Sequence, residues 1–294
     1  MIPRTVYLET PLWNELCDQG VDADWLLNAL QERASCIVIS TQLVCELAGT
    51  FKSTRFEDPF RRGRQLFSYL QRFTTARIPC LKMNNQLLQD EALLACGLSN
   101  GFNALLSTAD YDQMVAQIEK LSNGVFEPIA EEFLKSRKAL ARDSRTEVRE
   151  FVSSRPELRS RCSEVSFGEF IRSVHPIDRF KVLRGHLSKE FPDTELDILN
   201  QVTTVLLRYP GFRVAHAMLR ADMYTTWRTA CAGSLARDVQ DDCYHLVNSS
   251  YCDVYATKDK PQSQYAPDVL RPAEFRFYDG NMPLSDWLVR IATE

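Results

Sequence analysis

A chain of 294 residues, 45% hydrophobic and 25% charged, holds enough apolar residues for a substantial core and too many for a disordered polyelectrolyte. A net charge of −4 argues against a uniformly basic surface, and no run approaches the roughly 18 apolar residues that span a bilayer. The segment MIPRTVYLET lacks the apolar run of a signal peptide, and nine cysteines without a C-x-x-C pair read as reduced thiols, so the expected setting is cytoplasmic, with no membrane attachment.

In chain order, Thr5–Leu8 (TVYL) reads as a strand, followed after Pro11 by a helical pattern. Asp22 is placed to cap a second helix carrying Trp25, Leu26, Leu27 and Leu30. CIVIS (36–40) is a strand of the kind buried on both faces, and Ser40 or Thr41 can cap the helix QLVCELAGTF that comes next. From about residue 55 to 235 the apolar periodicity is largely helical; RIPCLKM (77–83) is the one short segment that reads as a further strand. ARDVQDDCYHLVNSS (236–250) then reads as a helix, CDVYAT (252–257) and EFRFYD (274–279) as strands, and PLSDWLVRIA as a helix opening at Pro283. This order predicts an α/β fold in which residues 1–54 and 236–294 form one parallel sheet and residues 55–235 make a long, mostly α-helical insertion.

Charge follows the same division. Residues 1–50 and 236–294 together sum to −9 and residues 51–235 to +5, a distribution that fits an acidic metal site beside a separate polyanion-binding surface. Five acidic positions fall where such a sheet would gather them: Glu9 after the first strand, Glu46 in the helix after CIVIS, Asp238 and Asp242 one turn apart, and Asp259 after CDVYAT. Crowded carboxylates raise one another's pKa unless a hard cation relieves them, and Mg²⁺ or Mn²⁺ held by oxygen ligands activates water towards a phosphodiester. Asp238 can equally cap its helix, and Asp241 lies about 100° from Asp242 around the helix, so the two do not both ligate and the choice among Asp238, Asp241 and Asp242 stays open. His245 reads as a hydrogen-bonded structural histidine, Asp253 as a structural acid at the wrong end of its strand, and Glu91 as a surface residue.

The segments YLETPLWNEL (7–16), STQLVCEL (40–47) and DVQDDCYHLVNSSYCDVYATKD (238–259) resemble the three acidic motifs of the PIN domain family, which includes toxin–antitoxin ribonucleases and RNA-processing endonucleases. The resemblance spans roughly 90 residues, all in the two ends. It implies a PIN-like parallel sheet and a metal-dependent endoribonuclease, a possible toxin or defence effector in role, with Mg²⁺ or Mn²⁺ on Glu9, Asp238, Asp242 and Asp259. Glu46 joins these as a catalytic acid, and Thr257 would lie against substrate. The implied partners are RNA or DNA, a protein inhibitor or operon partner, and a second copy in a homodimer. Two positions depart from the family pattern: Glu9 stands where Asp is usual and Pro11 where Asn is frequent. A longer side chain displaces a ligand by about one bond, enough to cost ~10²-fold in rate, so the alternative is a catalytically inactive PIN-like module that binds RNA or a protein. In the middle region, Arg61, Arg62 and Arg64 of FRRGR, and Lys135, Lys138 and Arg142, are candidates for phosphate contacts or for a solvated helix face.

Overall fold

Five short runs pair into one sheet: β1 (Arg4–Leu8), β2 (Ser35–Ser40), β3 (Cys80–Leu81), β4 (Val254–Thr257) and β5 (Glu274–Phe277). The computed structural model describes residues 3–125, 145–233, 239–270 and 273–293. The strand order is β3-β2-β1-β4-β5 and every pairing is parallel. The distant ends of the chain meet at its centre, where Val6, Tyr7 and Leu8 lie opposite Val254, Tyr255 and Ala256. The helices, in chain order, are α1 (Thr10–Asp18), α2 (Ala23–Gln31), α3 (Thr41–Ala48), α4 (Pro59–Thr75), α5 (Asn84–Ala95) and α6 (Thr108–Ser122). They continue with α7 (Pro156–Ser163), α8 (Phe167–Ser173), α9 (Pro176–Glu190), α10 (Leu196–Arg208), α11 (Arg213–Ala232), α12 (Val239–Asn248), α13 (Ala266–Leu270) and α14 (Leu284–Ile291).

Strand side chains alternate between faces, and here both faces are covered. Val6, Leu8, Ile37, Ile39, Val254 and Ala256 pack against α1 to α4, α6 and α14. Tyr7, Val38, Leu81 and Tyr255 face the opposite core, built from α5 and α7 to α13. The continuous apolar runs of the strands are explained by this double burial. Local signals set the helix starts: Asp22 accepts the Trp25 amide at 2.7 Å, Ser40 the Leu43 amide at 3.1 Å, and Asp58 the Arg61 amide at 2.8 Å.

Residues 55–235 do not stand apart from the sheet. They supply β3 at its edge, α4 and α6 to one core, and α5 and α7 to α11 to the other. Trp25, among the apolar positions of α2, is 49% exposed. Two expectations need correcting. The last helix begins after Pro283, which occupies its cap. Glu91, expected at the surface, is fully buried: its carboxylate accepts the amides of Val214 and Ala215, both at 2.8 Å, and the Tyr251 hydroxyl at 2.6 Å. The α5 periodicity does not reveal that a second layer of helices covers its polar side.

All nine cysteines are free thiols. No helix among the described residues is long and apolar enough to cross a membrane.

One close approach joins α3 to α4. A 3₁₀ turn (Gly49–Lys52) carries buried Phe51 under Gly63, where a β-carbon would stand 2.7 Å from the Phe51 ring. Phe51 also stacks on Phe67, so it has nowhere to retreat. Gly63→Ala is expected to destabilise the protein by about 1–2 kcal/mol in urea unfolding, overpacking outweighing the ~1 kcal/mol gained in helix propensity. A stabilised variant would show that the ring yields.

Candidate active site

Between β1 and β4 the strand order reverses: the chain proceeds from β1 outward to β2 and β3 on one side, and from β4 to β5 on the other. In parallel sheets this switch opens a crevice beyond the carboxyl ends of the strands. Glu9 leaves β1 there as the residue capping α1, its amide bonded to the Ala256 carbonyl at 3.0 Å. Thr257 ends β4, and Asp259 lies two residues beyond it.

Glu9 is only 3% exposed. One carboxylate oxygen accepts the Thr257 hydroxyl and the other accepts Gln262 Nε2 at 2.6 Å. Gln262 is positioned in turn by the Tyr255 hydroxyl, which donates to its Oε1 at 2.8 Å, and the Asp259 amide donates to Thr257 Oγ1 at 2.9 Å. Thr257 is therefore spent on orienting Glu9.

Glu46, on the second turn of α3, accepts the Thr10 hydroxyl and His245 Nε2, the latter at 2.5 Å. A carboxylate only accepts, so the His245 Nε2 carries the proton in this contact. The Tyr7 hydroxyl lies 2.7 Å from Nδ1 and 2.9 Å from Ser40 Oγ. Burial pushes the Tyr7 phenol well above its ordinary range and keeps it protonated. His245 Nε2 donates to Glu46 and its Nδ1 meets the Tyr7 hydroxyl, so the carboxylate emerges at the crevice with its orientation fixed from beneath.

Asp242, on α12, accepts the Tyr265 hydroxyl at 3.2 Å; the Tyr265 ring stacks on Tyr224 at 4.1 Å. The acids sense one another. Burial pushes Glu9 up to about 7, with Glu46 and Asp259 adding to the rise and His245 and the Thr257 hydroxyl opposing it. Asp242 is pushed up to about 8, chiefly by burial, with Glu9, Asp259 and Glu46 adding to the rise and His245 opposing it. Four carboxylates from the start of α1, α3, α12 and the segment after β4 thus share one electrostatic site.

Of the residues predicted from sequence, Glu9, Glu46, Asp242, Asp259 and Thr257 come together here. Asp238 lies outside the described residues, as do Lys135, Lys138, Arg142 and the Asp241 side chain. Asp253 sits at the opposite end of the sheet, accepting the Thr5 amide and hydroxyl at 2.8 Å. Arg62 is committed to α1, pairing with Asp18 at 2.5 Å and donating to Asn14 at 3.0 Å; Arg61 and Arg64 are exposed on α4. His245 is the hydrogen-bonded structural histidine expected, though its partner is a candidate catalytic acid.

Sequence reasoning misses Thr10, Gln262 and Tyr265. The one clue it offers is the pair Tyr7 and Tyr255, whose hydroxyls, buried in facing strands, each require a polar partner. Chemically, an all-oxygen anionic donor set of Glu9, Asp242 and Asp259 suits a hard divalent cation. Among the described residues, however, no three His, Cys, Asp or Glu side chains are already grouped so as to hold a metal ion. Comparison of the chain with protein-family models, curated proteins and solved structures finds no match.

Proposed function

We propose that this protein is a metal-dependent phosphodiesterase of the PIN type, an endonuclease acting on RNA. The observation that carries this reading is the convergence of Glu9, Glu46, Asp242 and Asp259 at the strand-order switch, where burial first, and the neighbouring acids after it, raise Glu9 to about 7 and Asp242 to about 8. Glu9, Asp242 and Asp259 are the side chains that would hold Mg²⁺ or Mn²⁺. Such an ion supplies charge neutralisation at the phosphate and an acidified water. Glu46, oriented by His245 and Thr10, takes the proton of the attacking water. Thr257 and Gln262 fix Glu9, which allows the longer Glu side chain to do the work of an Asp. The acidic motifs near the two ends of the chain support the same reading.

A second reading, a nuclease-like module that binds RNA or a protein without cutting, is favoured by a different observation. Both oxygens of Glu9 and one of Glu46 are already hydrogen-bonded within the protein, and no three-residue metal grip is assembled among the described residues.

A labelled RNA pool separates the two. Wild-type protein in Mn²⁺ is expected to cleave it, EDTA to stop the cleavage, and Glu46→Gln and Asp259→Asn each to slow it by about 10²-fold or more. Cleavage indifferent to both substitutions, or none by pure wild type, decides for the second reading.

A further inference from the structure

The sheet has two edges, and the chain treats them differently. Beyond β3 the loop carrying Leu105 runs antiparallel to Leu81: the Lys82 amide donates to the Ala104 carbonyl at 3.0 Å, and the Leu106 amide to the Cys80 carbonyl at 2.8 Å. That edge is closed. Beyond β5 no segment among the described residues does the same. The Glu274 amide donates to the Asp253 carbonyl and the Tyr278 amide to the Thr257 carbonyl, both at 2.8 Å, so the even-numbered residues turn their main chain towards β4. Successive residues of a strand point these groups to opposite sides. The amides and carbonyls of Phe275 and Phe277 therefore face outward, and among the described residues they meet no hydrogen-bond partner. An open edge is a template for pairing with another chain, and proteins commonly blunt it with a proline or a bulge. β5 (EFRF) has neither, and its two charges are of opposite sign.

The two faces of β5 define the strand that fits beside it. On one face the rings of Tyr7, Tyr255 and Phe275 stack in a row across β1, β4 and β5, with centres 5.8 and 6.2 Å apart, and the row stops at Phe275. On the other face Glu274 pairs with Arg276, two residues along the same strand, and with Arg4 of β1. A second β5 laid antiparallel to the first, with a two-fold axis at Phe275, satisfies both faces in one register. Phe275 then lies opposite its copy, so the aromatic row continues into the second molecule. Glu274 lies opposite the copy's Arg276, so opposite charges alternate across the seam, the arrangement that stabilises cross-strand pairs. The two Phe275 residues exchange amide and carbonyl bonds, and each Phe277 amide meets the Ala273 carbonyl of the other copy. Centring the axis on Arg276 instead sets arginine against arginine, which is unfavourable.

We propose that β5 is the contact of a two-fold homodimer, in which two of these sheets join edge to edge into one continuous sheet. The contact is isologous and uses the open edge of each molecule, so with the β3 edge closed the assembly stops at two copies. A foreign strand would have to bring the same alternation of acid, ring and base; a second copy of the chain carries it already. The inference stands independently of the phosphodiesterase reading, because the two-fold axis turns the carboxyl edges of the two sheets, and the crevices on them, in opposite directions.

Size-exclusion chromatography with light scattering, run on the full chain over a dilution series, provides the test. Wild type is expected to dimerise. Arg276→Glu and Glu274→Arg each set like charges opposite one another, and each is expected to weaken the dimer by about 10-fold or more. Mixing the two variants is expected to restore it, since the acids of one then face the arginines of the other. Phe277→Pro removes an outward amide and no bond to β4, and is expected to weaken the dimer with the fold intact. Circular dichroism and the unfolding midpoint check that each variant is folded; should the charge variants fail to fold, Phe277→Pro decides. A wild type that stays monomeric up to about 100 μM would overturn the proposal and leave the edge to a foreign strand. A dimer indifferent to every folded variant, or folded charge variants that fail to recover on mixing, would overturn it too.

Discussion

Glu91→Ala is expected to lower the unfolding free energy by about 3–5 kcal/mol, read as a shift in the midpoint of urea or thermal denaturation. The carboxylate is fully buried and accepts three hydrogen bonds, from the Val214 and Ala215 amides and the Tyr251 hydroxyl. Those amides open α11, whose own cap position, Phe212, offers no side-chain acceptor. Glu91 thus does for a twenty-residue helix what a local Ser or Asp usually does, from another helix. Alanine leaves the buried Val214 and Ala215 amides without this acceptor, each costing about 1–3 kcal/mol, and opens a cavity as well, while the Tyr251 hydroxyl keeps the Gly211 carbonyl at 3.3 Å. Gln, which retains one acceptor oxygen, should recover part of the loss. A loss under about 1 kcal/mol for the alanine variant would mean that water replaces the carboxylate and that the anchor is dispensable.

The second large effect concerns pH. Glu9 and Asp242 have folded pKa values of about 7 and about 8, above their ordinary 4.5 and 3.8. Between those limits the folded protein holds protons that the unfolded chain has already released. The unfolded state binds fewer protons, so stability falls with rising pH; the contribution is intact below about pH 4 and is lost as pH climbs through 7 to 8. The metal-free protein is therefore expected to unfold more easily at pH 9 than at pH 6. Asp242→Asn, neutral at every pH, should flatten that slope and gain on the order of 2 kcal/mol at pH 9. Some slope should survive in that variant, because burial also pushes Glu91 up to about 7. Added Mn²⁺ should raise the unfolding midpoint of wild type at pH 8 by binding the folded state alone, and should do so less in Asp242→Asn. An asparagine variant less stable than wild type at pH 9 would contradict the account, since it would mean that the aspartate is already compensated.

Much of this architecture is legible in the residues alone. The apolar runs TVYL, CIVIS and VYAT announce strands covered on both sides, and Asp22 and Ser40 announce where helices begin. Acids placed just past strand ends announce the crevice, because a parallel sheet gathers the side chains that lie beyond its carboxyl edge. The hidden features depend on spatial neighbours. RIPCLKM reads as a strand in sequence, but that only Cys80–Leu81 of it pairs is set by Ile39 and Ser40 alongside. The α5 pattern is one-sided and points Glu91 to solvent, whereas helices from elsewhere in the chain enclose it. FRRGR reads as a uniform cationic patch, yet Arg62 turns inward to Asn14 and Asp18 while its neighbours stay out. Gln262 and Tyr265 carry no signal, since nothing in a glutamine or tyrosine says which carboxylate it will meet.

The pairing of β1 with β4 has a consequence for the birth of the molecule. Val254 leaves the ribosome roughly 245 residues after Leu8, an interval of about 12–50 seconds at ordinary synthesis rates. Throughout that interval the central strand presents one unpaired edge, the very feature that folded sheets conceal. No nascent fragment ending before the fourth strand can gather Glu9, Asp242 and Asp259, so whatever chemistry this crevice performs stays silent until that strand has been made.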